Sequence, residues 1–96
     1  MLSKQTIYRP TKTQTITTSG TTATTTDAVQ DGIYVVRVHA TAACFVAIED
    51  GTATAATSDM FMPAGATEYF QIRPGERVAA IQSTAAGTVY VSEMTS

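Results

Sequence analysis

The chain is short of charge, of aromatic residues and of the side chains that most often do chemistry. Only 15% of its 96 residues are Asp, Glu, Lys or Arg, against about 25% in an ordinary domain. It has one histidine, His39, one cysteine, Cys44, and no tryptophan. A single thiol cannot close an internal disulfide. One His and one Cys are too few for a structural zinc site. Six Lys and Arg lie scattered among eight Asp and Glu, for a net charge of −2. They make no basic patch to neutralise phosphates, so nucleic acid is not an expected partner. No apolar run approaches the ~20 residues of a spanning helix, and no membrane role is expected. Residues 1–6 lack the apolar stretch of a secretory signal. A chain made in a cytoplasm and left untargeted is the expectation.

What is abundant is threonine, with 19 residues, and alanine, with 15. Threonine is β-branched and favours extended backbone, whereas alanine packs closely. With so few charges, the surface must be covered largely by Thr, Ser, Gln and Ala, which suits close contact with neighbours. A chain of this length is one domain. It buries roughly two-thirds of its unfolded surface, so oligomerisation is a ready way to bury more.

Residues 1–30 are polar and Thr-dominated, whereas residues 31–96 carry nearly all the large apolar side chains. The first part has too few apolar groups for a core of its own. It reads as an arm, or as edge strands laid on the body. Within it Thr11, Thr13, Thr15 and Thr17 recur with period two, the spacing of one face of a strand. The body divides at turn signals. Residues 33–40 form a strand with Tyr34, Val36, Val38 and Ala40 facing inward. Residues 44–49 form another with Cys44, Val46 and Ile48 inward, and the two are expected to pair as an antiparallel hairpin. Met60-Phe61-Met62 is a short apolar strand. Residues 68–72 place Phe70 and Ile72 inward. Arg73-Pro74-Gly75-Glu76 has Pro and Gly at its centre, which suits a type II turn. Residues 77–82 and 88–94 complete the set, the last with Val89 and Val91 on one face. No helical period of useful length occurs. The expected fold is all-β: a small antiparallel β-sandwich or barrel of about 6–8 short strands with an extended Thr-rich N-terminal arm.

The search for a catalytic site is almost empty. A Ser-His-Asp or Cys-His arrangement needs His39 beside a serine or Cys44, and in this strand reading His39 and Cys44 point to opposite faces. Asp27, Asp31, Glu49, Asp50, Asp59, Glu68, Glu76 and Glu93 are dispersed and mostly flank turns. No catalytic, cofactor-binding or metal-binding residues are therefore assigned, and an enzyme is not expected. Alternating Thr also builds ice-binding faces, but those need an array over several strands, and residues 11–17 make one row. Tyr69 and Tyr90, with nearby acids, would serve a carbohydrate- or receptor-binding β module.

Several body segments resemble small proteins from the structural gene clusters of tailed bacteriophages. These are Val36-Arg37-Val38-His39-Ala40-Thr41, Cys44-Phe45-Val46-Ala47-Ile48, Met62-Pro63-Ala64-Gly65-Ala66-Thr67-Glu68-Tyr69-Phe70, Arg77-Val78-Ala79-Ala80-Ile81-Gln82 and the ending from Ala86 to Thr95. The resemblance covers about residues 34–95 and rests on strand-and-turn patterns, not on chemical motifs. It implies a virion component, either a capsid decoration (cement) protein or a head–tail accessory. Expected partners are the major capsid protein or other virion proteins, together with self-association, of which a trimer is one form. The alternatives are a neck, tail or fibre-associated protein and the carbohydrate-binding module. The candidate interface residues are Thr13, Thr15, Ile16 and Thr17 in the N-terminal segment, and Met60, Phe61 and Met62 in the body.

Overall fold

Extended segments rich in Thr, Val and Ala form eight strands among the described residues: β1 (Arg9–Thr17), β2 (Ala23–Thr24), β3 (Val35–Ala40), β4 (Cys44–Asp50), β5 (Met60–Met62), β6 (Thr67–Gln71), β7 (Glu76–Gln82) and β8 (Thr88–Thr95). This computed structural model describes residues 9–95. No helix occurs among the described residues, so none is long and apolar enough to cross a membrane.

The strands form two four-stranded sheets, ordered β1-β8-β3-β6 and β2-β7-β4-β5, and all strand pairs are antiparallel. Only the β4–β5 connection stays within one sheet; every other connection crosses to the opposite sheet. An eight-stranded sandwich wound in this order is a jelly roll. The expected all-β sandwich is thus the observed fold.

The core lies between the sheets. Ile16, Val36, Val38, Val89 and Val91 enter it from the first sheet, and Cys44, Val46, Met62, Val78 and Ala80 from the second. Val29, Ile33 and Ile72, in the connections, close it. The turn signals are used as expected at Arg73-Pro74-Gly75-Glu76. There Gly75 has φ 95°, and the Glu76 amide donates to the Arg73 carbonyl at 3.0 Å.

Two expectations are corrected. Strands β3 and β4 do not pair as a hairpin; they belong to different sheets. Both carry an apolar even face, so they bury it by facing each other across the core. The link between them changes sheet within two residues. The Thr41 amide donates to Thr88 of the first sheet at 2.9 Å, and the Ala43 carbonyl accepts from Ser83, just past β7 of the second, at 3.1 Å. The crossing is tight: a Cβ placed on Gly87 would stand 2.6 Å from Ala42 Cβ. Tyr34 is not a core residue either, being 60% exposed. The Gln30–Ile33 turn puts Ile33 inward instead, so the alternation breaks between Ile33 and Val36, and the strand begins at Val35.

Residues 9–30 supply one edge strand of each sheet. β1 pairs with β8 from Arg9–Thr95 to Thr17–Thr88, and β2 pairs with β7. Ile16, Thr18, Thr25 and Val29 are all buried.

Candidate functional site

The alternate threonines of β1 lie on the outer face of the first sheet. Thr13 and Ser92 hydroxyls are 2.9 Å apart, Thr15 stands opposite Tyr90, and Thr17 opposite Thr88. Strand pairing extends these rows to Arg37 and Tyr69, and to His39 and Thr67. The His39 Nδ1 and Thr67 Oγ1 atoms are 2.7 Å apart, and the His39 and Tyr90 rings are 6.5 Å apart. The face is therefore polar and aromatic, with two basic side chains. Among the N-terminal candidates, Thr13, Thr15 and Thr17 are exposed, while Ile16 points the other way and is 2% exposed.

The three body candidates separate because adjacent residues on a strand face opposite ways. Met62 is fully buried beside Cys44. Met60, on the same side of β5, lies at the margin and is exposed. Phe61 points outward, is 49% exposed, and pairs with Phe45 at a ring separation of 5.4 Å. Phe45 in turn is opposite Ile81. Phe61, Phe45 and Ile81 therefore form an apolar row across the outer face of the second sheet. The β4–β5 loop covers the neighbouring part of that face with Ala53 and Ala55, which pack with Ala79, Ala47 and Ile81. Sequence reasoning missed Phe45 and Ile81. The signal was present: each sits on the parity opposite to the core residues of its own strand.

Charged groups are placed at two further points. Lys12 and Asp27 form an exposed ion pair at 2.9 Å. The hydrogen bond from Lys12, reinforced by its charge, holds the Asp27 carboxyl below its ordinary value and raises that of Lys12. Glu93 faces the core side of β8, opposite Lys12 and Val36, and is 1% exposed. Its Oε1 accepts from the Gln30 amide at 3.3 Å, whereas Oε2 has no hydrogen-bond partner among the described residues. Sequence reasoning counted Glu93 only among the dispersed acids, within the last strand. Its neighbours Ser92 and Met94 are also buried, which breaks strict alternation at the end of β8.

An open cleft of about 620 Å³ lies at one end of the sandwich, lined by Tyr34, Ile48, Gln71, Ile72, Arg73, Pro74 and Glu76. His39 and Cys44 are not brought together: His39 is on the outer face of the first sheet and Cys44 is buried on the core face of the second. Burial pushes the Cys44 thiol up from its ordinary value. Among the described residues, no three His, Cys, Asp or Glu side chains gather as a metal-ligand set.

These features define a jelly-roll β-sandwich with a Thr-lined edge and an outer apolar row that ends at the exposed Phe61. Comparison of the chain with protein families, curated proteins and solved structures finds no match in any of the three.

Proposed function

We propose that this chain is a non-enzymatic structural protein of a tailed-bacteriophage virion, in particular a capsid decoration (cement) protein. In this reading it is assembled in the host cytoplasm and binds the major capsid protein. The observation that carries the reading is the surface. A row of large apolar side chains, Ile81, Phe45 and Phe61, crosses the outer face of one sheet and ends at the exposed Phe61, and a long edge strand, β1, lies at the margin of the other. Both suit contact between macromolecules. Jelly rolls recur in viral capsid domains, a supporting analogy at the level of fold. Many copies, each binding modestly, would act together through raised effective concentration.

The test is co-sedimentation with expanded, empty phage shells, followed by heating of the shells. Binding that raises the temperature of shell rupture is expected, and Phe61→Ser should weaken it. A folded protein that leaves shells unbound and no more stable refutes the reading. Attachment to necks or tails in place of shells would move the protein within the virion.

A carbohydrate-binding module is the second reading. It is favoured by Tyr69, Arg37, His39 and Tyr90 on one face and by the Tyr34 cleft, since aromatic surfaces beside polar groups suit sugars. Retention on a glycan array that is lost in Tyr69→Ala or Tyr34→Ala would favour it.

A further inference from the structure

Edge strands expose unpaired backbone groups, and proteins usually blunt them by shortness, charge, proline or bulges. Three of the four edges here are blunted: β2 has two residues, β5 three, and β6 five with Glu68 among them. β1 is nine residues long, and its proline and bulge lie together at Pro10–Lys12. From Thr13 to Thr17 the strand itself carries no charge, proline or bulge.

The direction of its peptide groups follows from the ladder. The Thr18 amide donates to the Gly87 carbonyl, so this pair is turned toward β8. In antiparallel sheets such hydrogen-bonded pairs alternate with pairs that turn away. Ile16 and Gln14 are therefore bonded to β8, opposite Val89 and Val91. The amides and carbonyls of Thr13, Thr15 and Thr17 point out of the sheet. The other side of β8 agrees, because the Thr41 amide donates to Thr88, an even-numbered residue turned toward β3.

We propose that β1 pairs with β1 of a second copy, antiparallel about a two-fold axis at Thr15, to join two four-stranded sheets into one of eight. Thr15 then faces Thr15 of the second copy, and Thr13 faces Thr17. Each such pair exchanges two backbone hydrogen bonds, about six in all. The occupant is a second copy because this side of the molecule is self-compatible. No charged residue occurs from position 13 to 26. At the margin, Lys12 is neutralised by Asp27. The register sets Lys12 opposite Thr18, so no like charges meet. An isologous contact of this kind closes on itself and ends at a dimer. The pairing rests on the reading of β1 as a contact surface and adds the partner and the atoms.

The test is analytical ultracentrifugation of the full chain over a concentration series up to its solubility limit. A monomer–dimer equilibrium is expected. Thr15→Pro removes only an outward amide, so it leaves every bond to β8 intact. It should weaken dimerisation about 30-fold or more, since one donor is lost from each copy. Far-UV circular dichroism should be unchanged. If Thr15→Pro does not fold, Thr15→Lys serves on the same edge and is expected to be monomeric. Amide exchange gives an independent reading: Thr13, Thr15 and Thr17 should gain protection as concentration rises, whereas Gln14 and Ile16 are protected throughout. A wild-type monomer at every concentration, a trimer or larger ring, or a folded edge variant that still dimerises as wild type overturns the proposal. The assay contains no shells. A monomer that still binds shells refutes the pairing alone, and a dimer that ignores shells refutes the cement reading alone.

Discussion

Replacing Ile16 by alanine separates a docked edge strand from a free arm. Ile16 is 2% exposed, sits opposite Val89 and joins the main core cluster. Its neighbours Thr15 and Thr17 are exposed on the other face. Burial alone therefore predicts opposite outcomes for adjacent positions. Removing a fully buried aliphatic side chain costs about 2–5 kcal/mol, the lost transfer energy plus the cavity left behind. In a domain of this size 1 kcal/mol shifts Tm by about 4–8 °C. A loss of about 3 kcal/mol would thus lower Tm by roughly 12–24 °C. Thr15→Ala and Thr17→Ala, which touch only the surface, should stay within about 0.5 kcal/mol of wild type. Urea melts and calorimetry at one low protein concentration measure both, without a contribution from association. An Ile16→Ala variant within about 0.5 kcal/mol of wild type would mean that β1 is not held against the core. The same logic predicts that deleting residues 9–30 removes stability as well as any contact function.

Other positions give sharper local tests. Gly87→Ala would place a Cβ 2.6 Å from Ala42 Cβ and 2.9 Å from Thr41 Oγ1. Overpacking of this kind costs about 1–3 kcal/mol, and an unchanged urea midpoint would contradict the tight crossing. Cys44 is buried with its thiol pushed upward by desolvation, so an aromatic disulfide reagent should react with it only as the chain unfolds. Reaction of the native protein at the rate of a free thiol would contradict that placement. Asp27 is held below its ordinary value by Lys12, so its folded form binds protons less readily than the unfolded chain. Its contribution is present above the unfolded carboxyl's range, near 3.8, and fades as pH falls through the folded value. The advantage of wild type over Asp27→Asn in thermal melts should be full at neutral pH and vanish in strong acid. An advantage that persists there would reject the pairing with Lys12.

Much of the fold was legible because burial acts through the period of two. Val36 and Val38, Cys44 and Val46, and Val89 and Val91 all face the core as their alternation implies. Pairing was less legible. A three-residue link between two apolar-faced strands reads as a hairpin, yet facing across a core uses the same alternation. Only the partners of Thr41 and Ala43 in opposite sheets distinguish the two. The candidate surfaces show the same limit. Met60-Phe61-Met62 reads as one apolar segment, and the pleat divides it into an exposed margin, an outward aromatic and a core residue. The apolar row needs Phe45 and Ile81 from two other strands, so no local stretch of sequence contains it.

The Thr-rich segment poses a different problem, because its repeat leaves the register open. If β1 slipped by two residues along β8, threonines would still line the outer face, and the outer side chains would discriminate weakly between the two positions. What separates the registers lies on the alternate residues. Ile16 has a core seat opposite Val89. The Gln14 side chain forms two hydrogen bonds with the Asp27 backbone, donating to its carbonyl and accepting from its amide, each at 3.0 Å. Lys12 pairs with the carboxylate of the same residue. Asp27 thus grips β1 at two successive inward positions. A slip by two residues would break both of those contacts and withdraw Ile16 from its seat. The threonines make a strand that many registers could accept, and Lys12, Gln14 and Ile16 select one. That selection leaves the amides of Thr13, Thr15 and Thr17 turned outward, so the residues that fix the fold on one face also fix which backbone groups the edge presents.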